Sequence, residues 1–268
     1  MPIETVPPSA RPPAASDGFF APFRGGVRHL RFLPLLATAR EAQSYFEIGT
    51  SKGNSVAGID CAAVCVDPSF RVEQNVIGRK PYLLAFQMTS DDFFAQYRLS
   101  DLLPKPGRLD LAFLDGMHHF EFLLRDFMNV EKYCDERTIV CLHDCLPIHP
   151  HAARRLDRRK AVRQETTRPV DPEARGWTGD VWKVLRILQQ YRPDLRITVF
   201  DCPPSSLVVI TQCDASNRVL EGAFDEAVAR WDKADERPGW FDDLHDSVRL
   251  VSSRANMEPK AIRALLGL

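Results

Sequence analysis

The chain has 268 residues, of which 44% are hydrophobic and 26% are charged, a composition typical of globular proteins. Its 35 basic and 36 acidic residues nearly cancel, so the overall charge gives no reason to expect a nucleic acid or an anionic membrane as partner. No apolar run reaches the roughly 18–20 residues that a membrane helix needs, and no secretory signal pattern begins the chain, so a cytoplasmic location is expected.

Residues 1–18 are rich in proline and small residues, which predicts a disordered tail. Beyond them, short segments rich in apolar and β-branched residues predict strands at 45–49, 63–67, 82–88, 109–115 and 138–144. Strands that are apolar on both faces are typical of a parallel sheet covered by helices. Helical patterns fall at 91–103, 119–133 and 179–191.

Two further strands, at 197–201 and 207–211, are joined by a tight Pro-Pro-Ser-Ser turn, which requires antiparallel pairing. The sequence therefore predicts a Rossmann-like α/β fold: a doubly wound, mainly parallel, seven-stranded sheet with a closing antiparallel hairpin. We expect this domain to span 19–214 and a helical extension to span 215–268. The seven cysteines lie mostly in apolar runs, which favours buried free thiols over disulfides or a zinc cluster.

Residues 146–178 differ in composition, with few apolar anchors and an excess of Arg and Lys. Such a long insertion between a strand and a helix serves either as a flap over the site or as a surface for subunit contact, including contact within a homo-oligomer. Both alternatives stay open. Its basic charge would suit an anionic ligand.

The most informative stretch is 47–55, "EIGTSKGNS", which follows the first predicted strand. A strand that ends in Gly-x-x-x-Gly and leads into a helix offers backbone N–H groups and close approach to a ligand. A nicotinamide or flavin fingerprint would be G-x-G-x-x-G, and Ser51 stands at its middle glycine, which counts against a dinucleotide.

This stretch resembles the E-x-G-x-x-x-G-x-S motif of class I S-adenosylmethionine (SAM)-dependent methyltransferases. The closest resemblance is to the branch that holds the catechol and caffeoyl-CoA O-methyltransferases and related natural-product sugar methyltransferases. The resemblance implies that the turn binds SAM, with Glu47 and Gly49 lining its methionine part and Ser55 binding its carboxylate. Thr50, Ser51 and Gly53 complete the predicted turn.

Three further positions are predicted to contact SAM. Asp67, at the end of the second strand, is placed to accept both ribose hydroxyls. Ser90 occupies the place where the family contacts adenine, although "TSDDFF" is also an ordinary helix N-cap. Asp115 ends the fourth strand beside the expected cofactor site.

Acidic and imidazole groups collect at two neighbouring strand ends. The fourth strand delivers Asp115, His118 and His119, and the fifth delivers His143 and Asp144. By the resemblance, Asp115 and Asp144 lie where metal-dependent members hold a divalent cation such as Mg²⁺ or Mn²⁺, and His143 is the third predicted ligand. Both metal-assisted and metal-free reactions stay open.

His118 lies where the resembling enzymes place their basic catalytic residue, and histidine can accept a hydroxyl proton near neutral pH. His143, oriented by Asp144 or Asp115, is the alternative base. A structural role is the expectation for His119, and surface positions are expected for Asp110 and Asp126.

These features favour SAM-dependent O-methylation of a small molecule, with a sugar or natural-product hydroxyl as acceptor. Two alternatives stay open: an enzyme of the same fold with other chemistry, such as an N-methyltransferase or a nicotinamide-dependent oxidoreductase, and a non-catalytic cofactor-binding partner. No nucleic-acid or membrane partner is expected.

Overall fold

The computed structural model describes residues 25–104, 108–156 and 176–268. The predicted tail at 1–18 lies outside them, as do residues 157–175 of the predicted insertion. No helix in the described part of the chain is long and apolar enough to cross a membrane.

Eight strands form one sheet in the order β3-β2-β1-β4-β5-β7-β6-β8. The strands β1 to β5 are mutually parallel, and β7 runs antiparallel to both β5 and β6, as predicted for the closing hairpin. The order reverses between β1 and β4, which creates the crevice where open α/β sheets bind ligands. The strands are β1 Ser44–Ile48, β2 Ala62–Val66, β3 Leu83–Phe86, β4 Leu111–Leu114, β5 Ile139–His143, β6 Arg196–Phe200, β7 Leu207–Thr211 and β8 Leu250–Val251.

This arrangement confirms the predicted fold class, with one strand more than the sequence predicted. The extra strand, β8, contributes two residues that pair parallel with β6. Two residues are too few to produce a recognisable alternation in the sequence, so this strand gives no signal of its own.

Seven α-helices lie within the described residues, and they cover the two faces of the sheet. An apolar stripe places Phe120, Leu123, Leu124, Phe127 and Val130 of α3 in the core, as its spacing predicted. Helix α1 packs with α7 on the opposite face. The helices are α1 His29–Arg40, α2 Ser90–Gln96, α3 Phe120–Glu131, α4 Trp182–Tyr191, α5 Val219–Trp231, α6 Trp240–Asp246 and α7 Pro259–Leu266.

The expectation that the glycine turn leads into an α-helix was wrong. Residues 49–61 are all described, and they contain only the 3₁₀ turn Val56–Gly58. A strand-to-strand crossover with an α-helix needs at least about 10–12 residues, and most of this short connection is used by the turn itself. Glycine and asparagine also disfavour a helix here.

The two described ends of the predicted insertion are tied together. The backbone N–H of Thr178 donates to the carbonyl of Ala152 (2.8 Å), and the indole N–H of Trp177 donates to the carbonyl of Arg154 (2.8 Å). Arg155 donates to Asp180 (3.0 Å) and pairs with Glu121 near the start of α3. Both ends of the insertion are therefore anchored beside α3.

Two carboxylates that were expected at the surface are buried. Asp110 pairs with the guanidinium of Arg40 (2.7 Å) and accepts the backbone N–H of Gln43 (2.8 Å). Asp126 lies inside, at 2% exposure, next to Gly116. Both expectations were wrong because partners or neighbours from distant segments cover these side chains. The cysteines, by contrast, are all free, and six of the seven are buried, as predicted.

Candidate active site

The turn after β1 is pressed against the end of β4. Gly49 has a φ of +89°, and a Cβ on it would stand 1.9 Å from the carbonyl oxygen of Asp115. Ser51 and Gly53 also have positive φ values, of 45° and 79°. Glycine adopts such angles freely, and at position 49 it also leaves the space that Asp115 occupies. A Cβ on Gly53 would instead stand 2.4 Å from Cγ1 of Val76.

Asp67 connects this turn to the end of β2. One carboxylate oxygen, Oδ2, accepts the N–H of Ser51 (2.7 Å), and the other, Oδ1, accepts the N–H of Ser69 (2.6 Å). An ionised carboxylate has about four acceptor positions, so two remain for a ligand. Asp67 thus holds the turn and keeps acceptor capacity.

Glu47 is completely buried beneath the turn. Burial raises the pKa of its carboxyl to about 7, although hydrogen bonds from the hydroxyls of Tyr45, Ser55 and Thr50 oppose that rise. Its contacts are therefore with the turn itself. Ser55 precedes the 3₁₀ turn and makes no side-chain cap, so the predicted placement of Ser55 at the start of an α-helix is not found.

Asp115, His118, His143 and Asp144 lie together at the ends of β4 and β5. Nδ1 of His143 is 3.2 Å from Oδ1 of Asp115 and 3.3 Å from Oδ1 of Asp144. Nε2 of His118 is 3.5 Å from Oδ1 of Asp115, and its Nδ1 is 3.6 Å from Oδ2 of Asp144. The structure thus brings together four of the five strand-end groups that the sequence singled out.

The carboxylates and His143 stabilise each other's charged forms. Burial alone would lower the pKa of His143, but the charges of Asp144 and Asp115 outweigh it and raise that pKa well above its ordinary value. Burial alone would raise the pKa values of the two carboxyls, but the charge of His143 holds both below their usual range. The group therefore carries two carboxylates and a protonated imidazole.

Asp144 is supported from the closing hairpin. Its φ is +60°, a left-handed conformation that aspartate tolerates better than branched residues do. The hydroxyl of Ser205, in the turn between β6 and β7, donates to Oδ1 of Asp144. The hairpin thus contributes directly to the position of this carboxylate.

Two residues beside the group were missed by the sequence reasoning. His29, the first residue of α1, places its Nδ1 3.0 Å from Nε2 of His143. Burial, followed by the charge of His143, lowers the pKa of His29 to about 3, so it is a neutral acceptor. Trp177 stacks on the ring of His118, with centroids 4.9 Å apart. Neither residue belongs to a recognisable sequence motif. The one available signal is that Trp177 is a single aromatic residue in a polar stretch.

His119 and Ser90 have structural contacts of their own. The ring of His119 contacts the carbonyl of Leu156 (2.6 Å) and Arg155 (3.3 Å), in keeping with the structural role that was expected. Ser90 begins α2, where Thr89 is the N-cap and accepts the N–H of Asp92 (3.1 Å). The helix-cap reading of "TSDDFF" is therefore correct, and an adenine contact stays a prediction.

One set of side chains has the spacing of a metal site. Ligand atoms of Asp115, His118 and Asp144 all lie within 4.8 Å of one another. Ligands 2.0–2.6 Å from a shared cation lie up to about 4–5 Å apart, so the set fits a divalent ion. The predicted set named His143 in place of His118, and Nδ1 of His143 also contacts both carboxylates, at 3.2 and 3.3 Å. His143 as a metal ligand stays a prediction.

The fold is Rossmann-like, and the glycine turn after β1 lies beside an acid and imidazole cluster at the ends of β4 and β5. Residues 46–145 match the family model described as a methyltransferase domain, and this range includes the turn, Asp67, Asp115, His118 and Asp144. Residues 46–145 are therefore similar to a methyltransferase domain, and they lie within a sheet of Rossmann-like topology.

Several solved structures are similar. The O-methyltransferase from Bacillus cereus in complex with SAH is 14% identical, with 69% of this chain and 80% of that chain covered and a TM-score of 0.46. TomG, an O-methyltransferase from Streptomyces achromogenes in complex with SAM, is 16% identical, with 69% and 80% covered and a TM-score of 0.44. SAH-bound PaMTH1 from Podospora anserina is 14% identical, with 69% and 78% covered and a TM-score of 0.43. The comparison with curated proteins finds no match.

Proposed function

We propose that this protein transfers the methyl group of SAM to a hydroxyl oxygen of a small molecule, of the sugar or natural-product type. The observation that carries the proposal is the contact between Gly49 and Asp115, because it joins the predicted cofactor turn to the acid and imidazole cluster. A methyl group held at the turn would then face a hydroxyl held at the cluster.

The residues that would hold SAM are those of the turn and its supports. The N–H groups of Gly49, Ser51 and Gly53 donate to Val66, Asp67 and Thr50, so the turn would offer the cofactor the N–H groups of Thr50 and Lys52. The spare acceptor positions of Asp67 suit the hydroxyls of the cofactor. SAM supplies a methyl group on a positively charged sulfur, and orientation of the acceptor oxygen provides most of the acceleration in such a transfer. The predicted contacts are Glu47, Gly49, Thr50, Ser51, Gly53, Ser55, Asp67, Ser90 and Asp115.

His118 is the better choice for the base on geometric grounds. Both ring nitrogens of His143 are engaged at 3.0–3.3 Å, one with His29 and the other with the two carboxylates. The contacts of His118 are longer, at 3.5 and 3.6 Å, and 14% of its side chain is exposed. These longer contacts support His118 as the group that would take the proton of an incoming hydroxyl.

Asp115, His118 and Asp144 are the residues that would hold a divalent cation such as Mg²⁺ or Mn²⁺. When bound, such an ion lowers the pKa of a hydroxyl beside it. One nitrogen of His118 cannot bind a cation and accept a proton at once, so sensitivity to a chelator distinguishes the two roles.

An anionic acceptor is also part of the proposal, with the basic insertion as its binding surface. Arg155, however, is already neutralised by Glu121 and Asp180. Any phosphate or carboxylate of the acceptor would therefore have to meet other basic residues of the segment 154–175.

The test uses the full chain. Calorimetry with SAM, SAH and NAD should show binding of the first two only. A panel of hydroxyl acceptors is then screened with methyl-labelled SAM, with chelator and with added Mn²⁺. His118→Ala and Asp144→Asn should keep SAM binding and lose turnover, whereas Asp225→Asn, at an exposed position of α5, should keep both. Binding of NAD but not SAM, or full turnover in both site variants, would refute the proposal.

A further inference from the structure

A chain of contacts runs from the acid cluster to the start of α1. Nδ1 of His29 lies 3.0 Å from Nε2 of His143, and Nδ1 of His143 lies 3.2 Å from Asp115 and 3.3 Å from Asp144. We propose that His29 is a positioning residue, which fixes the ring of His143 and, through it, the two carboxylates. Any effect of His29 on methyl transfer rests on the proposed function, whereas its effect on the position of the His143 ring does not.

The need for such a partner follows from burial. His29 and His143 are each only 8% exposed. The carboxylates accept hydrogen bonds and cannot donate them when ionised, so Nδ1 of His143 carries a proton toward them. Its other nitrogen then faces away from the cluster, where a missing partner would be costly. His29 supplies that partner.

His29 is itself held from two sides. Its ring stacks on Phe113 of β4, with centroids 5.9 Å apart and planes 18° from parallel. The residues before it are fixed at the other end of the sheet, where the N–H of Val27 donates to Ser253 (2.7 Å). A Cβ on Gly26 would lie 2.2 Å from the carbonyl of Asp201, so the chain passes there in close contact.

This support reaches both carboxylates through one ring. His143 bridges Oδ1 of Asp115 and Oδ1 of Asp144, while Oδ2 of Asp144 faces His118. A tilt of the His143 ring would release both carboxylates together. The positions of both carboxylates relative to a ligand would therefore change, although the ring of His29 contacts His143 and neither carboxylate.

Two substitutions separate positioning from general stability. His29→Leu removes the ring nitrogen and keeps an apolar side chain beside Phe113. His29→Asn keeps a short polar group that can accept or donate a hydrogen bond toward His143. The first readout is the imidazole ¹⁵N–¹H spectrum, with the His143 signals assigned from a His143→Gln variant. The second is binding of Mn²⁺ alone, followed by electron paramagnetic resonance.

In the unsubstituted protein we expect a ring N–H at Nε2 of His143 that exchanges slowly with water. His29→Leu should lose this signal and weaken Mn²⁺ binding by about tenfold, the lower end of the effect seen when an outer-shell partner of metal ligands is lost, because His143 supports both carboxylate ligands. His29→Asn should keep the signal and stay within about threefold of the original affinity. SAM affinity should fall less than Mn²⁺ affinity in His29→Leu, since Asp115 is the one predicted SAM contact that His143 touches.

The inference is overturned if folded His29→Leu protein retains the slow ring signal, or if His29→Asn is impaired as strongly as His29→Leu. Absence of Mn²⁺ binding in the unsubstituted protein would refute the metal part of the proposed function. In that case the imidazole spectra alone would test whether His29 holds the ring of His143.

Discussion

The carbonyl oxygen of Asp115 occupies the space in which residue 49 would carry a side chain. A Cβ on Gly49 would stand 1.9 Å from that oxygen and 2.4 Å from the carbonyl carbon. Because the neighbours are backbone atoms at the end of a central strand, they cannot move aside without disturbing the pairing of β1 with β4. The predicted cofactor turn and the acid cluster are therefore in direct contact through Gly49 and Asp115.

Gly49→Ala should damage both folding and SAM binding. The variant combines an unfavourable φ of +89° with the clash on Asp115, so a loss of about 2 kcal/mol or more in the free energy of unfolding is expected. Urea unfolding and calorimetry with SAM measure the two effects. Gly222→Ala is the control, since nothing lies within 4 Å of a Cβ at that position of α5, and it should gain about 0.5–1 kcal/mol. Equal behaviour of the two variants would contradict this account of the turn.

Asp67→Asn should weaken SAM binding and leave the fold intact. The amide replaces one of the two acceptor oxygens that hold the N–H groups of Ser51 and Ser69, and it removes acceptor positions from the side chain. A hydrogen bond to a charged group contributes about 1.5–3 kcal/mol, so we expect at least a tenfold loss of affinity in calorimetry. Asp60→Asn, at an exposed position, should bind SAM normally. Unchanged binding by Asp67→Asn would exclude Asp67 from the cofactor site.

Seven of the eight strands could be predicted because each is a short apolar run with a clear end, whereas β8 has only two residues. The same reasoning located Asp115, His118, His143 and Asp144, since the carboxyl ends of neighbouring parallel strands meet at one edge. The helix predicted after β1 is absent, because the connection between β1 and β2 has too few residues to hold both the turn and an α-helix. Hydrophobic periodicity predicts individual helices and strands, whereas the structure of this connection depends on the distance that it must span.

His29 could not be found from the sequence for a different reason. Its partner His143 lies 114 positions away, and a single histidine at the start of a helix has no periodicity or motif. Asp110 and Asp126 were misjudged because charged residues are mostly exposed, and only the packed structure shows what covers them. Contacts between distant segments therefore account for what the sequence reasoning missed at the site.

Glu131→Gln should destabilise the protein strongly. Glu131 and Arg192 form a buried bidentate pair, at 2.6 and 2.8 Å, that joins the end of α3 to the end of α4. Among the described residues, removing one charge leaves the guanidinium with Asp194 as its sole ionic partner, at an expected cost of about 3 kcal/mol. Glu73→Gln, which breaks the exposed pair with Lys52, should cost less than about 1 kcal/mol. Urea unfolding of the two variants makes the comparison, and similar losses would show that the buried pair has no special role.

Asp126→Asn should stabilise the protein, and the gain should depend on pH. Asp126 is 2% exposed, and its Oδ1 has no hydrogen-bond partner among the described residues. Burial raises its pKa to about 7 from an ordinary value of 3.8, with a smaller opposing effect from a hydrogen bond to Ser90. Above pH 3.8 the unfolded chain therefore releases this proton more readily than the folded protein does.

The sign follows from proton linkage. A carboxyl whose pKa is raised on folding costs no stability below about pH 4; the cost grows as the pH rises toward about 7 and is constant above that. The asparagine variant lacks this cost. Its advantage over the original protein should thus be small at pH 4 and reach about 1–3 kcal/mol at pH 8, allowing for relaxation of the site. Asp225→Asn, on the exposed face of α5, should show no such trend, and urea unfolding between pH 4 and 8 tests both. A gain that is equal at all pH values would mean that folding leaves the pKa of Asp126 unchanged over this range, and that the amide acts only through packing.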